Sequence, residues 1–272
     1  MAFASRKQDS IVLESVSKVF RHSPALFNWL GRERRGETVA LQEVSLSVRA
    51  GVTILLGPNG SGKTTTLKLI STVLLPDSGR VIVEGADTLC EPDLVRRKVG
   101  FAVAAERSFF PRLSAHENLD FFATLDGVPR ATRRIRMDEL LEKVGLLDAA
   151  DTLVMKFSSG MYQRLGIARA LIKQPELILL DEPSRSLDPA STSHLWNLVR
   201  DLPAQGTTVL LATHNFHEAA AVGDAVAVLH QGRLAAYRRL GGMCADDLRS
   251  FYFQATGELD EGVPQLVQEG CR

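Results

Sequence analysis

The eight residues Gly57-Pro58-Asn59-Gly60-Ser61-Gly62-Lys63-Thr64 constrain this chain more than any other feature. They match G-x-x-x-x-G-K-[ST], and their flanks supply the strand and helix that the pattern needs. Val52-Thr53-Ile54-Leu55-Leu56 precedes them, a short apolar run that predicts a strand buried on both faces. Leu67, Ile70 and Leu74 follow at helical spacing. Glycines let such a loop wrap tightly, so that successive backbone N–H groups point inward at phosphate oxygens. The N-terminus of the next helix adds its positive dipole end. Lys63 is placed to reach the β- and γ-phosphates of a nucleotide and Thr64 to ligate Mg²⁺, with Thr65 in the same phosphate-binding set.

Two later runs repeat the buried-strand pattern. Leu177-Ile178-Leu179-Leu180 ends in Asp181-Glu182-Pro183. A carboxylate at the C-terminal end of a parallel strand faces the crevice where open α/β sheets bind ligands. Asp181 is therefore suited to hold Mg²⁺, directly or through water, and Glu182 to orient or deprotonate the attacking water. Thr208-Val209-Leu210-Leu211-Ala212 ends in Thr213-His214. His214 thus closes a strand as Asp181 does, within expected reach of a γ-phosphate.

Phe157-Ser158-Ser159-Gly160-Met161-Tyr162-Gln163-Arg164 precedes a helical pattern carrying Leu165, Ala168 and Leu171 on one face. Ser158 or Ser159 is suited to cap that helix, leaving N–H groups and a dipole for an anion. The order of phosphate loop, this segment, Asp181-Glu182, Ser186-Leu187-Asp188 and Thr213-His214 resembles an ABC nucleotide-binding domain over about residues 10–240. The resemblance implies an α/β fold: a P-loop NTPase core, RecA-like with a mostly parallel sheet, a small antiparallel β subdomain and a helical subdomain over about 104–160. It also implies ATP and Mg²⁺ as cofactors, and ATP hydrolysis with Glu182, His214 and Lys63 in catalytic roles.

By the same resemblance, two copies pair head to tail around two ATP molecules, most simply as a homodimer. Ser158, Ser159 and Gly160 would then meet the γ-phosphate of the opposite copy, and Asp188 lies in the loop linking the two sites. Phe20 stands where the family stacks an aromatic on adenine, with an edge-strand core phenylalanine as the competing reading. A separate transmembrane permease is the implied partner, with the chain cytoplasmic and peripheral on the inner face of the membrane. The chain departs from the family at Ala104 and Ala105, where a glutamine is usual, so either Glu106 substitutes or the role is lost. Met161 also replaces a usual glutamine. Both departures, with the Glu106-Arg107-Ser108-Phe109 segment, resemble exporter ATPases of the polysaccharide and antibiotic type.

Charge narrows the partners further. Lys+Arg and Asp+Glu are both 32, so the net charge is zero, without the basic excess of a nucleic-acid binder. No stretch approaches the roughly 20 apolar residues of a membrane helix, and residues 1–10 lack the apolar run of a secretory signal. Cys90, Cys244 and Cys271 are scattered without metal-ligand spacing, which predicts reduced thiols.

Alternating runs over 11–20 and 39–48, with another over 80–83, predict the antiparallel strands. Ser114 with Glu117 forms a capping box ahead of Leu119, Phe122 and Leu125. Ile135, Leu140, Leu141 and Val144 mark a second helix stopped near Gly145, and Leu195, Leu198, Val199 and Leu202 a third, between Asp188-Pro189 and Pro203. Residues 21–38 form a basic insertion with Leu26, Phe27, Trp29 and Leu30 together. It reads either as an amphipathic helix meeting the membrane subunit or lipid, or as a solvated loop. The extension over 241–272 is weakly patterned.

Overall fold

The computed structural model describes residues 9–21, 36–103, 108–185 and 187–258. Most of the basic insertion, together with Ala104, Ala105, Glu106, Ser186 and Cys271, lies outside these residues. Along the chain, β1 (Ile11–Arg21) and β2 (Glu37–Val48) precede β3 (Val52–Leu56) and α1 (Lys63–Ile70). Next come β4 (Ser78–Val83), β5 (Ala86–Asp87), α2 (Pro92–Lys98) and β6 (Val99–Val103). Helices α3 (Ala115–Leu125), α4 (Arg130–Lys143) and α5 (Ser159–Ala170) then lead into β7 (Leu177–Asp181) and α6 (Pro189–Asp201). The described chain closes with β8 (Thr208–Thr213), α7 (Phe216–Val222), β9 (Ala225–His230), β10 (Arg233–Arg239) and α8 (Ala245–Thr256).

These strands make two sheets. One has the order β2-β1-β4-β5 and is antiparallel throughout. The other runs β10-β9-β3-β8-β7-β6, parallel from β9 to β6, with β10 antiparallel at its edge. Together they give the α/β P-loop architecture that the resemblance implies.

Side-chain alternation explains why β3 is apolar along its length. Val52, Ile54 and Leu56 enter a core shared with the helices, including Leu119, Leu141, Leu165 and Leu195. Leu55 enters a second core with Leu67, Leu69 and Ile70 of α1 and with Ile11, Leu13 and Val81 of the antiparallel sheet. Ile54 and Leu55 are both fully buried, each stabilising the fold by roughly 1.5–3 kcal/mol relative to exposure. The central sheet is thereby clamped from both faces, and the C-terminal ends of β3, β7 and β8 form one rigid rim.

Several sequence expectations need correcting. Leu74 is not part of α1, which ends at Ile70; Thr72 just beyond takes a left-handed backbone with φ of 62°. Ser114 and Glu117 do form the capping box, and Leu119 is buried. Leu125 is 69% exposed, however, and Ile135 of α4 is 65% exposed. The core of α4 is carried instead by Met137 with Leu140 and Leu141. The described part of the extension is more regular than its sequence suggests: α8 buries Leu248 and Tyr252 in the main core and starts at a capping box made by Cys244 and Asp247. Among the described residues, no helix is long and apolar enough to cross a membrane.

Candidate active site

The loop of residues 57–64 hangs on the end of β3, and its glycines are required by what surrounds them. A Cβ on Gly57 would lie 2.3 Å from the Leu229 carbonyl oxygen and 2.6 Å from Ser61 Oγ. Gly62 caps α1 with φ of 106°, and a Cβ there would meet Leu41 at 2.6 Å and the Ala40 carbonyl at 2.7 Å. The loop is thus wedged between β9 and β2, and its register cannot slide.

Lys63 is buried, and its ammonium donates to the carbonyls of Gly57 at 2.7 Å and Pro58 at 3.1 Å. It also lies 3.6 Å from Glu182 Oε1. Burial pulls its pKa below the usual lysine value, while the Glu182 and Asp181 carboxylates oppose that shift. Thr64 Oγ1 donates to Asp181 Oδ2 at 2.8 Å. Asp181 is buried at the end of β7, and burial raises its pKa, with the Thr64 hydrogen bond opposing and the Glu182 charge adding. Its other oxygen, Oδ1, is buried without a hydrogen-bond partner, as is Ser61 Oγ in the loop. An orphaned carboxylate oxygen beside a threonine hydroxyl is a hard, all-oxygen donor pair, which fits Mg²⁺.

Glu182 takes a left-handed backbone, with φ of 51°, so the chain turns sharply off the sheet directly after Asp181. For a non-glycine residue that conformation costs about 1–3 kcal/mol and persists only where neighbours hold it. Three hydrogen bonds do so here: Glu182 N donates to the Ala212 carbonyl at 2.9 Å, and Gln163 Nε2 donates to the Glu182 carbonyl at 2.9 Å and to that of Pro183. The Glu182 carboxylate then faces His214, whose Nδ1 lies 2.9 Å from Oε1 and 2.8 Å from Oε2. Since a carboxylate can only accept, Nδ1 carries the proton.

The structure therefore brings Lys63, Thr64, Asp181, Glu182 and His214 into one cluster at the rim of β3, β7 and β8. Gly57, Pro58, Asn59, Gly60, Ser61, Gly62 and Thr65 lie in the loop and the first turn of α1. Other predicted residues lie elsewhere. Ser158 caps α5, its Oγ accepting from Met161 N at 3.2 Å, and exposed Ser159 with half-buried Gly160 begins the first turn. Asp188 caps α6, accepting from the backbone and hydroxyl of Ser191 at 3.0 Å and 2.7 Å. Phe20 belongs to β1 in the other sheet, opposite Thr38, with the Lys18 ammonium 5.9 Å from its ring centre.

Two residues near the cluster escaped the sequence reading. Gln163 stands five positions into the capped segment and braces the Glu182 turn. Glu218 on α7 is fully buried, and Trp196 Nε1 donates to its Oε1 at 3.4 Å. An Asn-x-x-Glu spacing from Asn215 was the available signal for Glu218, and it reads as an ordinary helix start.

Known proteins share sequence and fold with this chain. The ABC transporter family model matches residues 41–185. The daunorubicin/doxorubicin resistance ATP-binding protein DrrA of Streptomyces peucetius is 42% identical over 200 residues, covering 73% of this chain and 60% of DrrA. The chain thus spans less than two thirds of that relative. The ABC transporter ATP-binding protein NatA of Bacillus subtilis (strain 168) is 34% identical over 204 residues, covering 75% of this chain and 83% of NatA. Among solved structures, a dimeric post-hydrolysis state of the ATP-binding cassette MJ0796 bound to ADP and Pi is similar, with a TM-score of 0.74 and 28% identity. That match covers 86% of this chain and 100% of the cassette.

Proposed function

The chain belongs to the ABC transporter family, and from that premise we propose that it is the ATP-hydrolysing subunit of an exporter, driving a separate membrane-spanning chain. The observation that carries the proposal is the convergence of Lys63, Thr64, Asp181, Glu182 and His214 on one sheet rim. A phosphate cradle, a hard-cation donor pair and a base held by an imidazole are what hydrolysis of a nucleoside triphosphate requires.

In this reading the N–H groups of residues 57–64 and the Lys63 ammonium take the β- and γ-phosphates, Lys63 exchanging the Gly57 and Pro58 carbonyls for phosphate oxygens. Thr64 and Asp181 hold Mg²⁺, which when bound neutralises charge on those phosphates. Glu182 accepts the proton of the attacking water, and His214 keeps its carboxylate aimed at that water. Ser158 and Ser159, exposed at a capped helix N-terminus, and half-buried Gly160 beside them serve the γ-phosphate of a second copy. The dimer formed by the similar cassette MJ0796 supports such a pairing. Phe20 stacks on adenine, and Asp188 stands in the link between the two sites.

The export direction draws on DrrA, whose name is that of a drug-resistance ATP-binding protein. The membrane-spanning partner and a position on the inner membrane face belong to the same reading, and among the described residues no helix is long and apolar enough to cross a membrane.

Phosphate release from MgATP by the purified chain tests the reading, with Lys63→Ala as control. Steady release that Lys63→Ala abolishes is expected. Nucleotide bound without release would contradict hydrolysis and assign a regulatory ATP-binding module, a reading that the missing glutamine at Ala104 and Ala105 favours slightly and that Lys63, Asp181, Glu182 and His214 oppose.

A further inference from the structure

Glu182 stands in a conformation that its own sequence opposes. Its φ of 51° is a left-handed value, which a residue with a Cβ resists. Pro183 follows, and a proline narrows the backbone of the residue before it further. Of the hydrogen bonds on this turn, one is local, Arg185 N donating to the Glu182 carbonyl at 3.2 Å. A second comes from the β8 backbone, where the Ala212 carbonyl accepts from Glu182 N at 2.9 Å. The others come from one side chain: Gln163 Nε2 donates to the Glu182 carbonyl at 2.9 Å and to the Pro183 carbonyl. Carbonyls only accept, so the amide presents its N–H groups to the turn. Its Oε1 is left buried without a hydrogen-bond partner. An orphaned buried acceptor is a cost that an apolar side chain of the same length would avoid. The donated bonds are thus what separates Gln163 from a space-filler.

The other end of this brace is firmly anchored. Gln163 lies on α5, whose Leu165, Ile167, Ala168 and Ala170 are buried in the main core. The turn that it grips carries the carbonyl and the carboxylate of Glu182 on one Cα. That carboxylate meets His214 Nδ1 at 2.9 Å and 2.8 Å and stands 3.6 Å from the Lys63 ammonium. A turn free to relax its φ would swing the carboxylate away from both. We propose that Gln163 is a positioning residue for Glu182, through which α5 sets where the carboxylate of the base stands. This rests on the hydrolytic reading above. Gln163 acts through backbone carbonyls, and its role is to keep the base aimed.

The test combines kinetics with NMR of the His214 imidazole in the full chain. Gln163→Met matches the length of the side chain and donates nothing. It is expected to lower kcat by about tenfold or more, because loosened placement of the base acts on the chemical step. Affinity for a fluorescent ATP analogue is expected to stay within about threefold of wild type, since the phosphate loop is untouched. The His214 ring ¹⁵N resonances, measured without nucleotide, are expected to move as the Glu182 carboxylate shifts against Nδ1. Wild-type kcat in Gln163→Met overturns the proposal, and so do unmoved His214 resonances. Equal losses of kcat and affinity also overturn it, because Gln163 would then serve the whole cleft. Should Gln163→Met fail to fold, Gln163→Asn keeps a buried amide that is one methylene too short to hold both carbonyls. The same loss confined to kcat and the same movement of His214 are then expected, and unchanged turnover overturns the proposal. If the wild type itself releases no phosphate, the hydrolytic reading fails, and the His214 resonances alone still decide whether Gln163 places Glu182.

Discussion

His214 Nδ1 donates into the Glu182 carboxylate with almost equal reach to its two oxygens, 2.9 Å to Oε1 and 2.8 Å to Oε2. That contact sets the distance between the carboxylate and the imidazole. Lys63 completes the arrangement from the loop side, 3.6 Å from Oε1. The Glu182 carboxylate is therefore held without nucleotide by His214 at the end of β8 and by Lys63 of the phosphate loop, as a base aimed in advance requires. Such pre-organisation lowers the reorganisation needed at the chemical step.

His214→Ala removes that donor and leaves the loop intact. We expect kcat to fall by about tenfold to hundredfold, with the nucleotide dissociation constant little changed. Steady-state phosphate release beside equilibrium titration with a fluorescent ATP analogue separates the two effects. Equal losses in both would mean that His214 serves binding instead.

Asp181 and Thr64 are paired at 2.8 Å with one Asp181 oxygen left unpartnered. Asp181→Asn is expected to weaken the Mg²⁺-dependent part of ATP affinity by about tenfold or more, while binding measured in EDTA stays near the wild-type value. Calorimetric titrations with and without Mg²⁺ check this.

How far the sequence could be read depends on where each residue's role is set. The phosphate loop and Asp181-Glu182 were legible because backbone chemistry at strand ends dictates them: Gly57 and Gly62 are wedged where no Cβ fits, and the strands before them are apolar on both faces. Gln163 and Glu218 were not legible, because each acts through neighbours far along the chain, at Glu182–Pro183 and at Trp196. Leu125 and Ile135 obeyed helical spacing yet point to solvent, since their helices face the core through a narrower stripe than periodicity suggests. In α8 the buried set is Leu248 and Tyr252, one i, i+4 pair and too little to form a pattern. Ser158, Ser159, Gly160, Asp188 and Phe20 are in place on their elements, but the roles proposed for them belong to a nucleotide-bound pair of copies.

The packing of α8 carries its own prediction. Leu248 is fully buried in the main core beside Tyr252. Leu248→Ala is expected to cost about 2–5 kcal/mol of stability, read as a lower urea midpoint. A change within experimental error would mean that α8 is an appendage and not a part of the core.

Glu218 also predicts a pH dependence. Burial, with the Glu182 charge adding, raises its pKa in the folded protein, so the native state keeps this proton to higher pH than the unfolded chain does. The stability it contributes is full below the ordinary glutamate pKa and is lost as pH rises through the native value. Glu218→Gln has no proton to lose. Its Tm relative to wild type is therefore expected to climb as the buffer is taken from about pH 5 to about pH 8, and a difference that stays constant would contradict the raised pKa. Asp181 is raised in the same direction but is present in both proteins, so its contribution cancels.

The most direct test of the central claim is single-turnover hydrolysis by wild type and Glu182→Gln, with oligomeric state followed by size exclusion in MgATP. The account predicts phosphate release by the wild type, a loss of about a hundredfold or more in Glu182→Gln, and an ATP-bound dimer that persists in the variant. Hydrolysis by Glu182→Gln at the wild-type rate would contradict it, because the carboxylate that His214 and Lys63 aim would then not be the base.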